Sequence, residues 1–354
     1  MIMKRILFSL TIVLLLASCT QLEVPTITHE NEYAQCFADM WDRIDYFHPY
    51  LEELGINKND IYKRYLSSAA EVTTPTQFTN LLNAFVQEIG DPNIIIDYNH
   101  QFIQCPTKVK DYPAFNLVSG DLYTGKLWSE DGAYTYPFYT KSVSRTLSSD
   151  SRINYQLLLF GGYTWKSPTQ AQKDSLYTYL SSLSNRATDG LVLDLRGSYY
   201  IDFTYIRDIL PYFYEKGTHT ICEYQTSPTA EMETYTIEGN GILANLPISI
   251  IVNERTMGEW ALFARILQDR DNVAIISRSN GGAGCMHGRF GFPLGVELCC
   301  PMYRTFVSQT ACYSPFKPEV FVEWEGTESE HGNLGYTDNI DYCIAAALDF
   351  IDSL

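Results

Sequence analysis

The stretch that most constrains the fold is residues 247–267, where a short apolar strand leads directly into a helix. Residues 248–252 are a continuous apolar run, which predicts a buried β-strand. From Glu259 to Leu267 apolar side chains recur at helical spacing, which predicts a helix with a buried face. The joint between them, residues 253–258, holds no serine and no cysteine. Such joints place the unpaired N–H groups of a helix N-terminus, or a nucleophile, at an exposed turn.

Strands alternate with helices over the second half of the chain. Predicted strands at 153–160 and 189–196 are separated by an amphipathic helix at 169–183, and a last helix is predicted at 339–353. This alternation predicts a layered α/β core from about residue 151 to the C-terminus.

The N-terminal part is predicted to be helical between residues 30 and 89. The first helix is expected to stop before Pro49, and Asn59 or Asp60 and Thr76 are expected to cap the second and third helices. Residues 99–150 are rich in Tyr, Gly, Ser and Asp without helical periodicity, which predicts a short β segment or linker.

The first residues predict export. Lys4 and Arg5 precede an apolar run, and the sequence Leu-Ala-Ser-Cys ends at Cys19. This ending resembles a bacterial lipobox, so residues 1–18 are interpreted as a lipoprotein signal peptide and Cys19 as the lipidated residue. An ordinary secretory signal is the alternative. The run is shorter than the ~20 residues that a membrane-spanning helix needs.

Composition limits the partners. The formal net charge is −17, which argues against nucleic acid as a partner because phosphates require cationic surfaces. Eight cysteines follow Cys19, and their spacing favours disulfides or buried thiols over a metal cluster. The glycine run at 281–284 lacks the Lys-Ser/Thr that completes a phosphate-binding loop. We therefore expect no metal and no cofactor.

Four motifs, in order, resemble those of the tail-specific, or C-terminal-processing, serine proteases, which include the tricorn core and the interphotoreceptor retinoid-binding protein modules. The first motif is the Gly-Asp-Pro-Asn turn that ends the N-terminal helices, and the second is a strand that ends in Asp-Leu-Arg. The third is a Thr-x-Gly turn before a buried helix. The fourth consists of a Pro-Glu pair and a Thr-Asp pair before the last helix. The corresponding residues are 89–94, 190–196, 252–264, 318–320 and 336–338.

The resemblance implies an α/β fold with a crotonase-like spiral core. Residues 19–98 would form a tether and an N-terminal helical subdomain, and residues 99–150 a short β segment where many relatives carry a PDZ domain. Residues 151–354 would form the protease-like core. Asp194 and Arg196, at a strand end, are expected to pair and brace the cleft.

The catalytic positions of this family are substituted here. The nucleophilic serine falls on Gly258, and the histidine base of the tricorn-like branch falls on Asn93. No lysine occurs between Lys216 and Lys317, so the lysine base of the bacterial branch is also missing. Because a triad acts as a unit, with loss of serine alone reducing the rate by roughly 10⁶-fold, we expect no proteolysis by the family mechanism.

The leading hypothesis is therefore an envelope lipoprotein that binds a peptide, a protein or another ligand in the former cleft. The glycines that help form the family's oxyanion hole are replaced after Gly197 by bulky tyrosines. The expected cleft residues are Asn93, Ser198, Tyr199, Tyr200, Thr256, Met257, Gly258, Glu259 and Ser279.

Two alternatives remain at this stage. A displaced nucleophile, Ser279 or Ser277, could act with His287 or His100 as the base. The chain is also rich in tyrosine, and Tyr134 and Tyr136, in addition to Tyr199 and Tyr200, could line a groove for a glycan. A glycan-binding surface lipoprotein is therefore the second alternative.

Overall fold

The computed structural model describes most of the chain. The described residues are 31–105, 138–148, 151–160, 168–185, 188–198, 200–227, 229–323 and 342–354. The predicted signal peptide, Cys19 and most of the predicted segment 99–150 lie outside these residues.

The described chain contains seven α-helices. They are α1 (Glu32–Phe47), α2 (Lys58–Ala70), α3 (Pro75–Ile89), α4 (Gln170–Leu183), α5 (Phe203–Ile209), α6 (Gly258–Gln268) and α7 (Tyr342–Asp352). Three helices occupy the predicted N-terminal region, and α1 ends before Pro49. None of the described helices is both long and apolar enough to cross a membrane.

Two helix caps lie two residues earlier than the sequence predicted. The α2 helix follows Asn57, whose side chain accepts a backbone N–H of the first turn, and not Asn59. The α3 helix follows Thr74 and not Thr76, because Pro75 fits the first helical position, where no N–H is needed.

The strands form three sheets. They are β1 (Ile95–Tyr98), β2 (Gln101–Gln104), β3 (Phe138–Ser148), β4 (Ser151–Phe160), β5 (Gly190–Asp194), β6 (Gly217–Gln225), β7 (Glu233–Gly239), β8 (Ile248–Ile251), β9 (Val273–Ser277), β10 (His287–Gly291), β11 (Glu297–Pro301), β12 (Arg304–Val307), β13 (Thr310–Ala311) and β14 (Val320–Phe321). The six-stranded sheet has the order β14-β9-β8-β5-β4-β3, parallel except for β3 against β4. Two antiparallel four-stranded sheets have the orders β10-β11-β1-β2 and β13-β12-β6-β7. A mixed α/β fold was predicted, and it is confirmed.

The strand–helix joint lies at the centre of the six-stranded sheet. Ile248 and Ile250 of β8 pack in the same core as α6, whereas Ile251 packs with α7 on the opposite face. The Ser249 hydroxyl donates to the Ala347 carbonyl of α7 at 2.8 Å. Helices therefore cover both faces, which explains why every residue of β8 is buried instead of alternating with exposed ones.

The N-terminal helices share their core with a strand from the second half of the chain. Leu298 and Cys300 of β11 are fully buried among side chains of α1 and α3. In the same sheet β11 pairs with β1, which begins shortly after the turn that ends α3. This pairing holds the turn at residues 90–93 beside the rest of the molecule.

The glycine run at 281–284 packs directly against the joint. Gly282 donates its N–H to the Thr256 carbonyl at 3.0 Å, and a Cβ at residue 282 would lie 2.7 Å from that same oxygen. At Gly284 a Cβ would lie 2.9 Å from the Leu262 nitrogen. These glycines are needed for close backbone approach.

We predict that Gly282→Ala lowers the free energy of unfolding by about 1–3 kcal/mol, because the added methyl group must displace backbone atoms. Gly291→Ala is the matched control, since a Cβ there has no heavy atom within 4 Å. Denaturant unfolding of both variants measures the difference. Equal stability of the two variants would contradict the close packing of this run.

Candidate functional site

The joint is fixed to the neighbouring strand end by side-chain hydrogen bonds. The Thr256 hydroxyl donates to the Leu195 carbonyl at 2.8 Å and accepts the N–H of Asn253 at 3.0 Å. Asn253 Oδ1 accepts the N–H groups of Gly197 and Arg255, each at 3.0 Å. Both side chains belong to the joint itself, and their partners lie within the joint or at the end of β5, the strand that pairs with β8.

Gly258, where the order of motifs predicts the family's serine, offers neither a nucleophilic side chain nor a free N–H donor. Its φ of 57° is left-handed, a conformation in which other L-residues are strained. Its N–H donates to the Ala283 carbonyl at 2.9 Å, and the N–H of Met257 donates to the Ser198 carbonyl at 3.1 Å. These two N–H groups are therefore satisfied by the protein and not directed at a ligand, in contrast to the expectation for a helix N-terminus.

Glu259, in the first turn of α6, pairs with His287 in the interior. His287 Nδ1 lies 3.0 Å from the Glu259 carboxylate, and its Nε2 lies 3.0 Å from the Asn93 carbonyl. Both side chains are 1% exposed. Since both ring nitrogens face acceptors, the ring carries two protons and is an imidazolium.

The pKa of His287 agrees with this geometry. Burial alone lowers it, but the charge and hydrogen bond of Glu259, together with Asp91 and the Asn93 carbonyl, outweigh burial and raise the pKa above its ordinary value. His287 is thus held as the cation of a buried ion pair, and it cannot serve as a base.

Cys285 lies beside this pair without being activated by it. Its Sγ is 3.6 Å from His287 Nε2, but that nitrogen donates to the Asn93 carbonyl. Burial, and then the negative charge of Glu259, raise the pKa of the Cys285 thiol well above its ordinary value. A buried thiol without a base is a poor nucleophile.

A second buried network holds the turn after α3. Asp91 Oδ2 lies 2.7 Å from His48 Nε2 and also accepts the Tyr313 hydroxyl, while its Oδ1 accepts the Asn93 N–H at 2.8 Å. Burial raises the pKa of Asp91, but the hydrogen bonds of His48 and Tyr313 and the backbone lower it overall. The Tyr50 N–H donates to His48 Nδ1, so the ring donates to Asp91 through Nε2.

A cavity of about 600 Å³ opens between this turn, the joint and the glycine run. Its walls are mainly apolar, and they include Leu54, Met257, Pro315 and Phe321. This volume lies within the range of roughly 300–1,000 Å³ typical of small-ligand sites.

Three polar residues that line this cavity carry buried side-chain atoms that have no hydrogen-bond partner. Asn93 is 2% exposed, yet neither Nδ2 nor Oδ1 is bonded, and the same is true of Glu254 Oε2 and Ser279 Oγ. Buried polar atoms are normally satisfied, because an unmet donor or acceptor costs about 1–3 kcal/mol. The cavity therefore has the polar groups of a binding site.

The predicted cleft residues divide into two groups. Asn93, Met257 and Ser279 line the cavity. The others that the structure describes lie behind it, in the protein interior; they are Ser198, Tyr200, Thr256, Gly258 and Glu259. Tyr199, Tyr134 and Tyr136 lie outside the described residues.

Tyr200 was expected to line a groove, but it is only 8% exposed. Its ring packs edge-on against the ring of His287, with 5.6 Å between the ring centroids. Tyr200 therefore contacts the buried Glu259–His287 pair and not a ligand groove. Asp194 and Arg196 form a buried ion pair at 2.6 Å at the end of β5.

The proposed displaced serines have no base beside them among the described residues. Ser277 Oγ donates to the Val252 carbonyl at 2.8 Å and accepts the Ser279 N–H. Ser279 Oγ has no hydrogen-bond partner. His100 lies exposed in the tight turn between β1 and β2, and His287 is bound to Glu259.

Glu254, Asp91 and Tyr313 were not anticipated as cleft residues. Glu254 belongs to the joint, and Asp91 to the turn that carries Asn93, so both lay within motifs already noted in the sequence. Tyr313 reaches the cavity only through the fold, since 222 residues separate it from Asp91. Within the described part of the chain, no three His, Cys, Asp or Glu side chains converge on a point that could hold a metal ion.

Three solved structures of similar fold match nearly the whole chain. A candidate peptidase from Parabacteroides merdae is 14% identical, with a TM-score of 0.60 over 92% of this chain and 99% of that one. A lipoprotein from Streptococcus agalactiae is 14% identical, with a TM-score of 0.55 over 93% and 99%. Mature CPAF in complex with lactacystin is 10% identical, with a TM-score of 0.56 over 91% and 97%.

These identities are low, so the structural likeness concerns the fold alone. No curated protein sequence matches the chain. Residues 163–314, which include the joint, β5 and the glycine run, match the family model described as peptidase family S41. This match and the shared fold assign residues 163–314 to peptidase family S41, the family of proteases that the order of sequence motifs resembles.

Proposed function

We propose that this protein is a lipid-anchored envelope protein whose S41 peptidase-like domain has no proteolytic activity and binds a peptide or another ligand in the former cleft. The observation that carries the proposal is the state of the joint. Gly258 supplies no nucleophile, and its N–H is bonded to Ala283, so it cannot stabilise an oxyanion.

The proposed loss of catalysis is also supported by the residues that could act as a base or as an alternative nucleophile. Asn93 stands in the place of the base and cannot take up a proton at neutral pH. The histidine nearest to the joint, His287, is the cation of a buried pair with Glu259. A serine needs a base within hydrogen-bond reach, and Ser279 has none among the described residues.

Retention of a binding cleft is supported by the cavity itself. Its apolar walls and its unpaired polar atoms from Asn93, Glu254 and Ser279 reduce stability unless a ligand covers them. A protein selected only for stability would replace such atoms by apolar groups.

Lipid anchoring is supported by the lipobox-like sequence that ends at Cys19. One protein of similar fold is itself described as a lipoprotein. The anchor would hold the acidic domain at the envelope, where a peptide or protein ligand would reach the cleft.

We predict that a fluorophosphonate probe does not label the full chain, because the reagent requires a serine activated by a base. Labelling is measured by intact-protein mass spectrometry, with an active serine hydrolase in the same reaction as the positive control. Stoichiometric labelling that disappears in Ser279→Ala or Ser277→Ala would establish a displaced nucleophile instead.

We predict that Asn93→Leu raises the free energy of unfolding by about 1 kcal/mol, because leucine has the same branched shape without unpaired polar atoms. Asn253→Leu is the matched control, and it is expected to lower stability because Asn253 accepts two backbone N–H groups. Denaturant unfolding gives both values. A loss of stability in Asn93→Leu would show that the Asn93 amide is satisfied in the native protein.

We predict that bacteria expressing the full chain incorporate an alkyne-tagged fatty acid into it, and that Cys19→Ala removes the tag. Cys105→Ala, at a partly exposed cysteine of the folded domain, serves as the control and retains the tag. Cleavage of the wild-type chain without any tag would indicate an ordinary secretory signal.

A further inference from the structure

The unpaired side-chain atoms of three residues that line the cavity indicate what kind of ligand could satisfy them. Asn93 presents one acceptor and one donor, and Ser279 presents a hydroxyl that serves as either. Glu254 Oε2 is only an acceptor, so it requires a donor from the ligand. The set as a whole therefore favours a ligand with an amide and an additional donor.

The acceptor that requires this donor is a carboxylate, and a carboxylate forms its strongest hydrogen bonds with cationic donors. Two carboxyl groups, of Asp91 and Glu254, line the cavity against one basic side chain, Arg278. Asp91 is satisfied by His48, Tyr313 and the backbone, whereas Glu254 forms no ion pair with any described residue. Glu254 is thus the carboxylate that remains for a ligand.

The apolar side chains at the rim and walls of the cavity indicate the chemistry of the rest of the ligand. Leu54 and Phe321 border the cavity and are 38% and 57% exposed, unusually high for large apolar side chains. Met257 and Pro315 continue the apolar surface inward. A ligand with an apolar side chain would cover them and remove apolar area from water.

We propose that the cleft recognises the amino-terminal end of a peptide that begins with apolar residues. The α-ammonium group is the donor for Glu254, the adjacent peptide amide pairs with Asn93, and the apolar side chains cover Leu54 and Phe321. This inference rests on the proposed binding function and specifies its ligand.

Titration calorimetry of the full chain in detergent with three dipeptides tests the proposal. Phenylalanyl-leucinamide has a free amine, its N-acetyl form has none, and N-acetyl-phenylalanyl-leucine has a free carboxylate. We expect the free amine to bind at least about 10-fold more tightly than either acetylated peptide, since an ionised donor forms the stronger hydrogen bond.

Variants assign this preference to the cavity. Glu254→Gln is expected to abolish the 10-fold preference with little effect on the acetylated amide, and Asn93→Leu to weaken binding of both amides. Glu231→Gln, an exposed carboxylate in the β6–β7 turn, controls for net charge and retains the preference. Thermal unfolding confirms that each variant is folded.

The outcomes separate this inference from the proposed function. Equal or tighter binding of the acetylated acid, dependent on Asn93, overturns amino-terminal recognition and leaves the binding cleft in place. A preference for the free amine that survives in Glu254→Gln overturns the assignment to Glu254. Binding of none of the three peptides overturns both the inference and the peptide-binding function.

Discussion

The buried pair of Glu259 and His287 is the interaction on which the arrangement of the cleft depends. Glu259 lies in the first turn of α6, and His287 begins β10. The Nε2 atom of His287 then bonds the carbonyl of Asn93, which belongs to the turn after α3. One ion pair thus connects the joint, an antiparallel sheet and the N-terminal helices, and removing one partner of such a buried pair is strongly destabilising.

The same pair is compatible with the proposal that the S41-like fold is kept here without proteolytic activity. His287 pairs with Glu259, the residue that follows Gly258, and it has no lone pair to offer because both ring nitrogens face acceptors. The joint keeps its geometry because Thr256 and Asn253 fix it to the end of β5. Binding requires the cavity and its polar groups, whereas catalysis requires a nucleophile and a base, so under the proposed function catalysis could be lost while binding is kept.

Features that depend on local sequence were predictable. The strand–helix joint, the three N-terminal helices and the mixed α/β class follow from apolar periodicity, whereas the substitution of the family's serine by Gly258 stays a prediction from the order of motifs. The caps of α2 and α3 were displaced because several capping residues lie close together there, and only the backbone path selects Asn57 and Thr74.

Features that depend on side chains meeting across the fold were not predictable. No feature of the neighbouring sequence indicates that the Glu259 side chain points inward to His287, 28 residues away, instead of toward a ligand. Tyr200 was expected at the surface of the cleft, but it packs against that pair. Glu254 was visible within the joint, yet its exposure to the cavity follows only from the position of the glycine run.

The most direct test of the central claim is an unbiased cleavage assay. The full chain is incubated with a proteome-derived peptide mixture, and new peptide termini are identified by mass spectrometry against a sample without the protein. The account predicts no new termini above that background. Termini that accumulate with time and protein concentration, and that vanish when Ser279 is replaced by alanine, would show that the cleft still cuts peptides and would contradict it.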